Sequence, residues 1–468
     1  MANVKEIKME LSGNKFPISD QEIPSLTARD YQERINRLLQ LAGERKLTHL
    51  IVYGDREHFA NIHFLTGYDP RFEETLLILS QDNLPLLLVG NEGWSYSRII
   101  PFPINRELFQ SFSLVGQPRG NSRKLAEIFS VAGIKNSSQI GVIGWKSFSR
   151  ADTVDYRYWV EIPAYIIETL TQAVKRENIL NANDFMIHNE YGLRINLDVK
   201  ELIRLEIAGT MVSRKVFNVI NNLRPGISEM EASANLNIDG YPIATHPNIN
   251  FGADNVSLGL ASPTFTRKLA IGDPISIGFG YWGALVHRAS LYANSAEDIP
   301  AELRSRTILF FKKYFETMAV WYESLQIGIS GGAIYNEVKK AAGGLDELGI
   351  VLNPGHLIHT DEWTNSPFFE SSEHKLFSGM GIQCDFFAAK NNPYIGAHVE
   401  DGVLLADSVM REKIKKLFPA SWSRIIKRRE LMKNILGINL AAEVLPTSDI
   451  QGMLFPYMAN PKIVLSKL

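Results

Sequence analysis

Gly272-Asp273-Pro274-Ile275-Ser276-Ile277-Gly278-Phe279-Gly280-Tyr281-Trp282-Gly283-Ala284-Leu285-Val286-His287-Arg288 is the stretch on which the fold turns. It reads as two strands about a glycine-rich turn. Residues i and i+2 of a strand share a face, so Leu285 and His287 point the same way. Upstream, a long helical pattern begins at Asp198, with Leu202, Leu205, Ala208 and Val212 on the 3.6-residue period, and stops at Arg224-Pro225-Gly226. Ser228 and Glu231 then form a capping box that satisfies free backbone N–H groups of the next helix. Downstream come a helix from about Ala301 to Leu325 and strands from about His356 to Leu405. Near the N-terminus, Tyr31 to Arg45 is helical, with Ile35, Leu38, Leu39 and Ala42 on one face. The apolar runs at His49–Tyr53, Leu76–Leu79 and Leu84–Val89 are strands, and Ser122–Val131 is a helix.

The chain has 468 residues, enough for two or three domains. Apolar residues make up 45% and charged residues 21%, an ordinary globular composition. The formal net charge is −2, from 49 basic and 51 acidic side chains, so no general attraction to nucleic acid or acidic membranes is expected. No apolar run approaches the roughly 18 residues that span a bilayer. Cys384 is the single cysteine, so no intrachain disulfide forms; with no apolar leader in Met1–Leu11, a cytoplasmic location is expected. Lys427-Arg428-Arg429 is expected to be a solvated helix face, on one amphipathic helix from about Ser421 to Leu436.

Several short segments then carry a resemblance. Phe64-Leu65-Thr66-Gly67-Tyr68, Leu223-Arg224-Pro225-Gly226-Ile227-Ser228-Glu229, Gly272-Asp273-Pro274-Ile275-Ser276-Ile277, Gly355-His356, Gly379-Met380 and Val399-Glu400-Asp401 resemble landmarks of the creatinase, prolidase, Xaa-Pro aminopeptidase and methionine aminopeptidase family, in family order. The resemblance implies an α+β chain: an α/β N-terminal domain and a C-terminal pita-bread domain, whose curved antiparallel sheet cradles the active site. The expected boundaries are an arm over 1–27, the N-terminal domain over 28–190, the pita-bread domain over 191–410 and an extension over 411–468. It also implies a homodimer acting on a small molecule or short peptide.

Peptidases of that family hold two divalent metals with two Asp, one His and two Glu. By the resemblance, the two Asp positions fall here on Gly278 and Leu285, which offer no donor. The His is kept as His356, the first Glu falls on Asp385, and the second is kept as Glu400. No paired-metal centre is therefore expected. His287 points where the second Asp would, giving a predicted catalytic set of His287, His356, Asp385 and Glu400. Two chemistries follow. One is metal-free hydrolysis of a C–N bond, as in creatinases, with His287 as general base or acid. The other is a single zinc or manganese ion on the same four residues. Decay of the ligands into a non-catalytic peptide- or protein-binding site is the third reading. His398, His246, Arg71 and Trp282 are expected to contact substrate, and His359 is expected to point away from the site.

Overall fold

The computed structural model describes residues 4–9, 18 and 22–468. The chain forms two compact units, Ser25–Arg194 and a larger one built of Ile195–Leu468 with the described residues before Ser25.

The smaller unit is a mixed six-stranded sheet in the order Asn105–Leu108, Leu86–Val89, Thr75–Ser80, His49–Gly54, Ile140–Ile143, Ile179–Asn181. The run at His49 is apolar without alternation because both of its faces are covered. Leu50 and Val52 pack with Ile35, Leu38 and Ala42 of helix Ala28–Glu44. Ile51 and Tyr53 pack on the other face with Ile128, Phe129, Ile166 and Leu170 of helices Leu125–Val131 and Ala164–Thr171.

The larger unit holds an antiparallel eight-stranded sheet. Its strands are β1 (Ile243–Phe251), β2 (Pro274–Tyr281), β3 (Ala284–Leu291), β4 (His356–Leu357), β5 (Gly381–Cys384), β6 (Ala388–Lys390), β7 (Ile395–Leu405) and β8 (Val444–Pro446). The order is β4-β5-β7-β3-β2-β1, with β6 and β8 also paired to β7. Alternation sorts the two faces. Ile275, Ile277, Phe279 and Tyr281 of β2, Val286 of β3, and Val399 and Val403 of β7 enter one core with Val212, Val216, Phe311, Tyr314 and Trp321 of helices Val199–Asn221 and Ala301–Ser324. The intervening residues, Ser276, Gly278, His287, His398 and Glu400, therefore face the opposite side of the sheet. The capping box forms as read: Glu231 N donates to Ser228 Oγ (3.2 Å) and Ser228 N to Glu231 Oε2 (2.8 Å).

Three expectations change. The segment after 410 is integral to the larger unit, because β8 pairs with β7 and Ile463–Ser466 pairs with Lys5–Lys8. It holds two α-helices, Ser408–Leu417 and Pro419–Leu431, broken where Pro419 begins the second. In Lys427-Arg428-Arg429, Lys427 is exposed, but Arg428 is buried and donates to Glu206 (2.6 Å) and Asp449 (2.7 Å). Arg429 is half-buried and donates to the Ala441 carbonyl at 2.9 Å. The Lys5–Lys8 strand lies in the predicted arm; residues 10–17 and 19–21 of that arm lie outside the described residues.

Candidate active site

Pairing of β3 with β7 sets His287 directly opposite Glu400, and Ala289 opposite His398. Pairing of β3 with β2 sets His287 opposite Gly278. Arg288 turns to the helix side and anchors the two strands from behind. It is fully buried, and its guanidinium donates to the carbonyls of His287 (2.7 Å), Glu400 (3.0 Å) and Ile450 (2.7 Å) and to Asp401 Oδ2 (2.7 Å). Burial raises the Asp401 carboxyl even beside Arg288.

On the cleft side a hydrogen-bonded chain runs through four residues. Ser276 Oγ lies 2.7 Å from His287 Nε2, His287 Nδ1 lies 2.5 Å from His398 Nδ1, and His398 Nε2 lies 2.8 Å from Asp385 Oδ1. An ionised carboxylate only accepts, so His398 Nε2 carries a hydrogen and donates it. With neutral rings, His398 Nδ1 then accepts from His287 Nδ1–H, and His287 Nε2 accepts from the Ser276 hydroxyl. His287 is held neutral: burial, then the neighbouring His398 and Arg288, push its pKa well down. The Asp385 carboxyl is pulled down. Burial alone would raise it, but the hydrogen bond from His398 and the electrostatic attraction of the His398 and His356 rings more than reverse that.

His356 is completely buried, and its Nδ1 donates to the Leu357 carbonyl at 3.2 Å. Its Nε2 therefore points toward acids: Glu362 Oε1 at 2.9 Å, Asp385 Oδ2 at 3.6 Å and Glu400 Oε1 at 3.9 Å. The Glu362 contact has ion-pair distance, yet among the described residues Nε2 has no partner in hydrogen-bond geometry. Burial alone would lower the His356 pKa; Glu362, Glu400 and Asp385 carry it well above its usual value. Glu400 is pushed well up by burial and by Asp385, against the pull of His356. Gln383 Nε2 steadies Glu400 from 3.2 Å while also donating to the Leu285 carbonyl at 2.8 Å. Trp363 stacks on His356 with centroids 4.2 Å apart.

All four predicted catalytic residues thus meet, joined by His398. His287 has a different part from the one expected: both ring nitrogens are engaged within the relay, so neither is turned to substrate or to an ion. His246 is exposed, at a register irregularity of the edge strand β1. Trp282 lies in the β2–β3 turn, its N–H on the Pro242 carbonyl at 2.9 Å. Arg71 belongs to the smaller unit and pairs with Asp69 at 3.0 Å. His359 turns to Glu201 of helix Val199–Asn221, at 3.2 Å. Sequence reasoning missed Ser276, Gln383 and Glu362. The i, i+2 rule applied from Gly278 and Asp385 reaches the first two. Glu362 sits in an irregular loop after β4, where no periodicity marks it.

A paired-metal centre does not fit these residues. Gly278 and Leu285 supply no donor, and a Cβ at Gly278 would fall 2.4 Å from His287 Cδ2. The imidazole fills the space that a side chain at 278 requires.

No protein-family model matches the chain, and no curated protein matches it. Solved structures do. A prolidase from Thermococcus sibiricus superposes with a TM-score of 0.61 at 17% identity, covering 82% of this chain and 96% of its own. An Xaa-Pro dipeptidase from Bacillus anthracis gives 0.60 at 13% identity, over 81% of this chain and 96% of its own. An X-Pro aminopeptidase from Thermotoga maritima MSB8 gives 0.59 at 13% identity, over 80% and 95%. With the sheet order and the position of its polar face, these likenesses show that the chain has the two-domain α+β pita-bread fold of the prolidases and Xaa-Pro aminopeptidases.

Proposed function

We propose that the larger unit hydrolyses a C–N bond in a small molecule or short peptide, without the paired-metal centre usual for its fold. The observation that supports this most directly is the relay Ser276–His287–His398–Asp385, ending on a carboxylate that is 20% exposed at the cleft. A buried chain of this kind orients Asp385 and keeps it ionised, as a general base must be. Asp385 takes a proton from water, and the water oxygen adds to the carbonyl carbon. His356, bonded through Nδ1 to the Leu357 carbonyl, holds Nε2 toward Glu362, Asp385 and Glu400, and its charge polarises the substrate carbonyl from there. The C–N bond breaks as the departing nitrogen takes up the proton that Asp385 received, which restores the carboxylate. His287 thus acts through His398 as a positioning residue. Homodimerisation, supported by the family resemblance, and a cytoplasmic location, supported by the single cysteine, belong to the same reading.

The test is release of amine from a panel of dipeptides, tripeptides and small amides. Asp385→Asn is expected to lower kcat by about 10²–10⁴-fold, the usual worth of a positioned base. His398→Gln should lower kcat with little change in KM and shift the acidic limb of the pH profile, which a purely structural residue would not do. Absence of turnover across the panel, with the peptides still binding, would overturn hydrolysis in favour of a peptide-binding role.

A further inference from the structure

We infer that Asn248 and Asn250, on the cleft face of the edge strand β1, form with Ser276 a subsite for a primary amino group, which holds the free amino terminus of an extended peptide well away from Asp385. Where the peptide is cut rests on the hydrolytic reading; the subsite itself does not require turnover.

Pairing of β1 with β2 sets Asn248 opposite Gly278 and Asn250 opposite Ser276. Directly opposed residues of antiparallel strands share a face. Ile249 and Phe251 enter the core, so Asn248 and Asn250 take the cleft face beside Ser276. Both are buried, at 4% and 0% exposure, and among the described residues neither Oδ1 has a hydrogen-bond partner. The orientation of Asn250 is fixed by its other end. Nδ2 donates to the Ala261 carbonyl at 3.1 Å, and a carbonyl can only accept, so Oδ1 is the atom left over. A buried acceptor without a donor is costly, and two on one strand face require donors from outside the fold.

Ser276 adds a third acceptor. Its hydroxyl hydrogen goes to His287 Nε2, 2.7 Å away, and its lone pairs remain. An ammonium group carries three donors and no acceptor, which matches three oxygens; a carboxylate carries only acceptors and is rejected. His287 is held neutral and does not repel a cation. The place of β1 in the sheet decides which amine this is. It lies three positions from β7, whose His398 holds Asp385. At about 4.8 Å per strand that is about 14 Å along the sheet, the length of about four extended residues. An amino terminus on β1 therefore leaves the bond beside Asp385 about four residues along the peptide, while dipeptides, tripeptides and small amides reach Asp385 without the subsite. The irregular segment 257–263 lies over Asn250 through the Ala261 contact and must move outward as the amino group enters.

The test is equilibrium dialysis of the full chain against a mixed-sequence hexapeptide library, half with free amino termini and half N-acetylated, with retained peptides and fragments identified by mass spectrometry. Wild type should retain free-amine peptides about tenfold or more over acetylated ones, the worth of charge-assisted hydrogen bonds. Asn248→Ala should lower that preference by about fivefold or more, with unchanged circular dichroism. Asn248→Asp, which places a charge on the same oxygens, should raise it, and misfolding cannot produce such a gain. Fragments should begin with N-terminal pieces of about four residues. Equal retention of the two halves would mean that the oxygens are hydrated only and would overturn the inference. So would a preference that neither variant alters, or release of single N-terminal residues. Turnover with no amine preference would sink this inference alone. Amine preference with no fragments would sink the hydrolytic reading alone.

Discussion

Glu206→Gln tests what holds the C-terminal helices to the body of the larger unit. Glu206, on helix Val199–Asn221, is completely buried and faces two arginines of helix Pro419–Leu431. Its carboxylate accepts from Arg424 Nε (2.9 Å) and Nη2 (2.7 Å), Arg428 Nη1 (2.6 Å) and Thr210 Oγ1 (3.0 Å). Glutamine keeps one acceptor oxygen and loses the other together with the charge. Arg424 retains Glu22 (2.7 Å) and Arg428 retains Asp449 (2.7 Å), both partly exposed carboxylates. Breaking a buried ion pair costs about 3–5 kcal/mol; the retained partners place this change near the lower end, about 3 kcal/mol. With a urea m-value of about 3 kcal/mol/M, the midpoint falls by about 1 M. Burial pushes the Glu206 carboxyl up, and Arg428 and Arg424 more than reverse it, so its folded pKa lies below the usual 4.5. A depressed carboxylate stabilises fully above its unfolded pKa and loses that contribution as pH falls through the folded one. The difference between wild type and variant should therefore be constant from about pH 7 to 5.5 and shrink below about 4.5. Urea unfolding followed by far-UV circular dichroism measures both. A midpoint shift under about 0.3 M at pH 7, or a difference that persists undiminished at lower pH, would refute the reasoning.

Arg288→Met should destabilise the larger unit by about 3–5 kcal/mol, because Asp401 is left buried and unpaired; adding Asp401→Leu should recover most of that in urea titrations. Gly278→Ala should cost about 1–3 kcal/mol from overpacking against the His287 ring, and Gly278→Ala/His287→Ala should be less costly than the sum of the two single changes, as a double-mutant cycle would show. Truncation after Leu405 should give insoluble protein when expressed and fractionated, since it uncovers the edges that Val444–Pro446 and Ile463–Ser466 pair with.

The fold was legible because its signals are local and ordered. The stop at Arg224-Pro225-Gly226, the cap at Ser228 and the turn at Gly280-Tyr281-Trp282-Gly283 each act over a few residues. The meeting of His287 with Glu400 was legible for a similar reason, since strand alternation alone orients both. What the alternation could not convey was the state of the ring: His287 is committed to Ser276 and His398, and that depends on the register of β2 and β7 together. Glu362 escaped because a loop has no period. Arg428 was misread because its basic neighbours suggest solvent, while the carboxylate it meets is 222 positions away in the chain.

The pairing of Lys5–Lys8 with Ile463–Ser466 has a consequence for biosynthesis. Ser25–Arg194 leaves the ribosome as a contiguous stretch and can begin folding while the rest is still being translated. The Lys5–Lys8 strand must wait unpaired until Ile463–Ser466 has been made. Newly made chains should accordingly become protease-resistant in two stages, the Ser25–Arg194 unit early and the other only once Ile463–Ser466 has emerged.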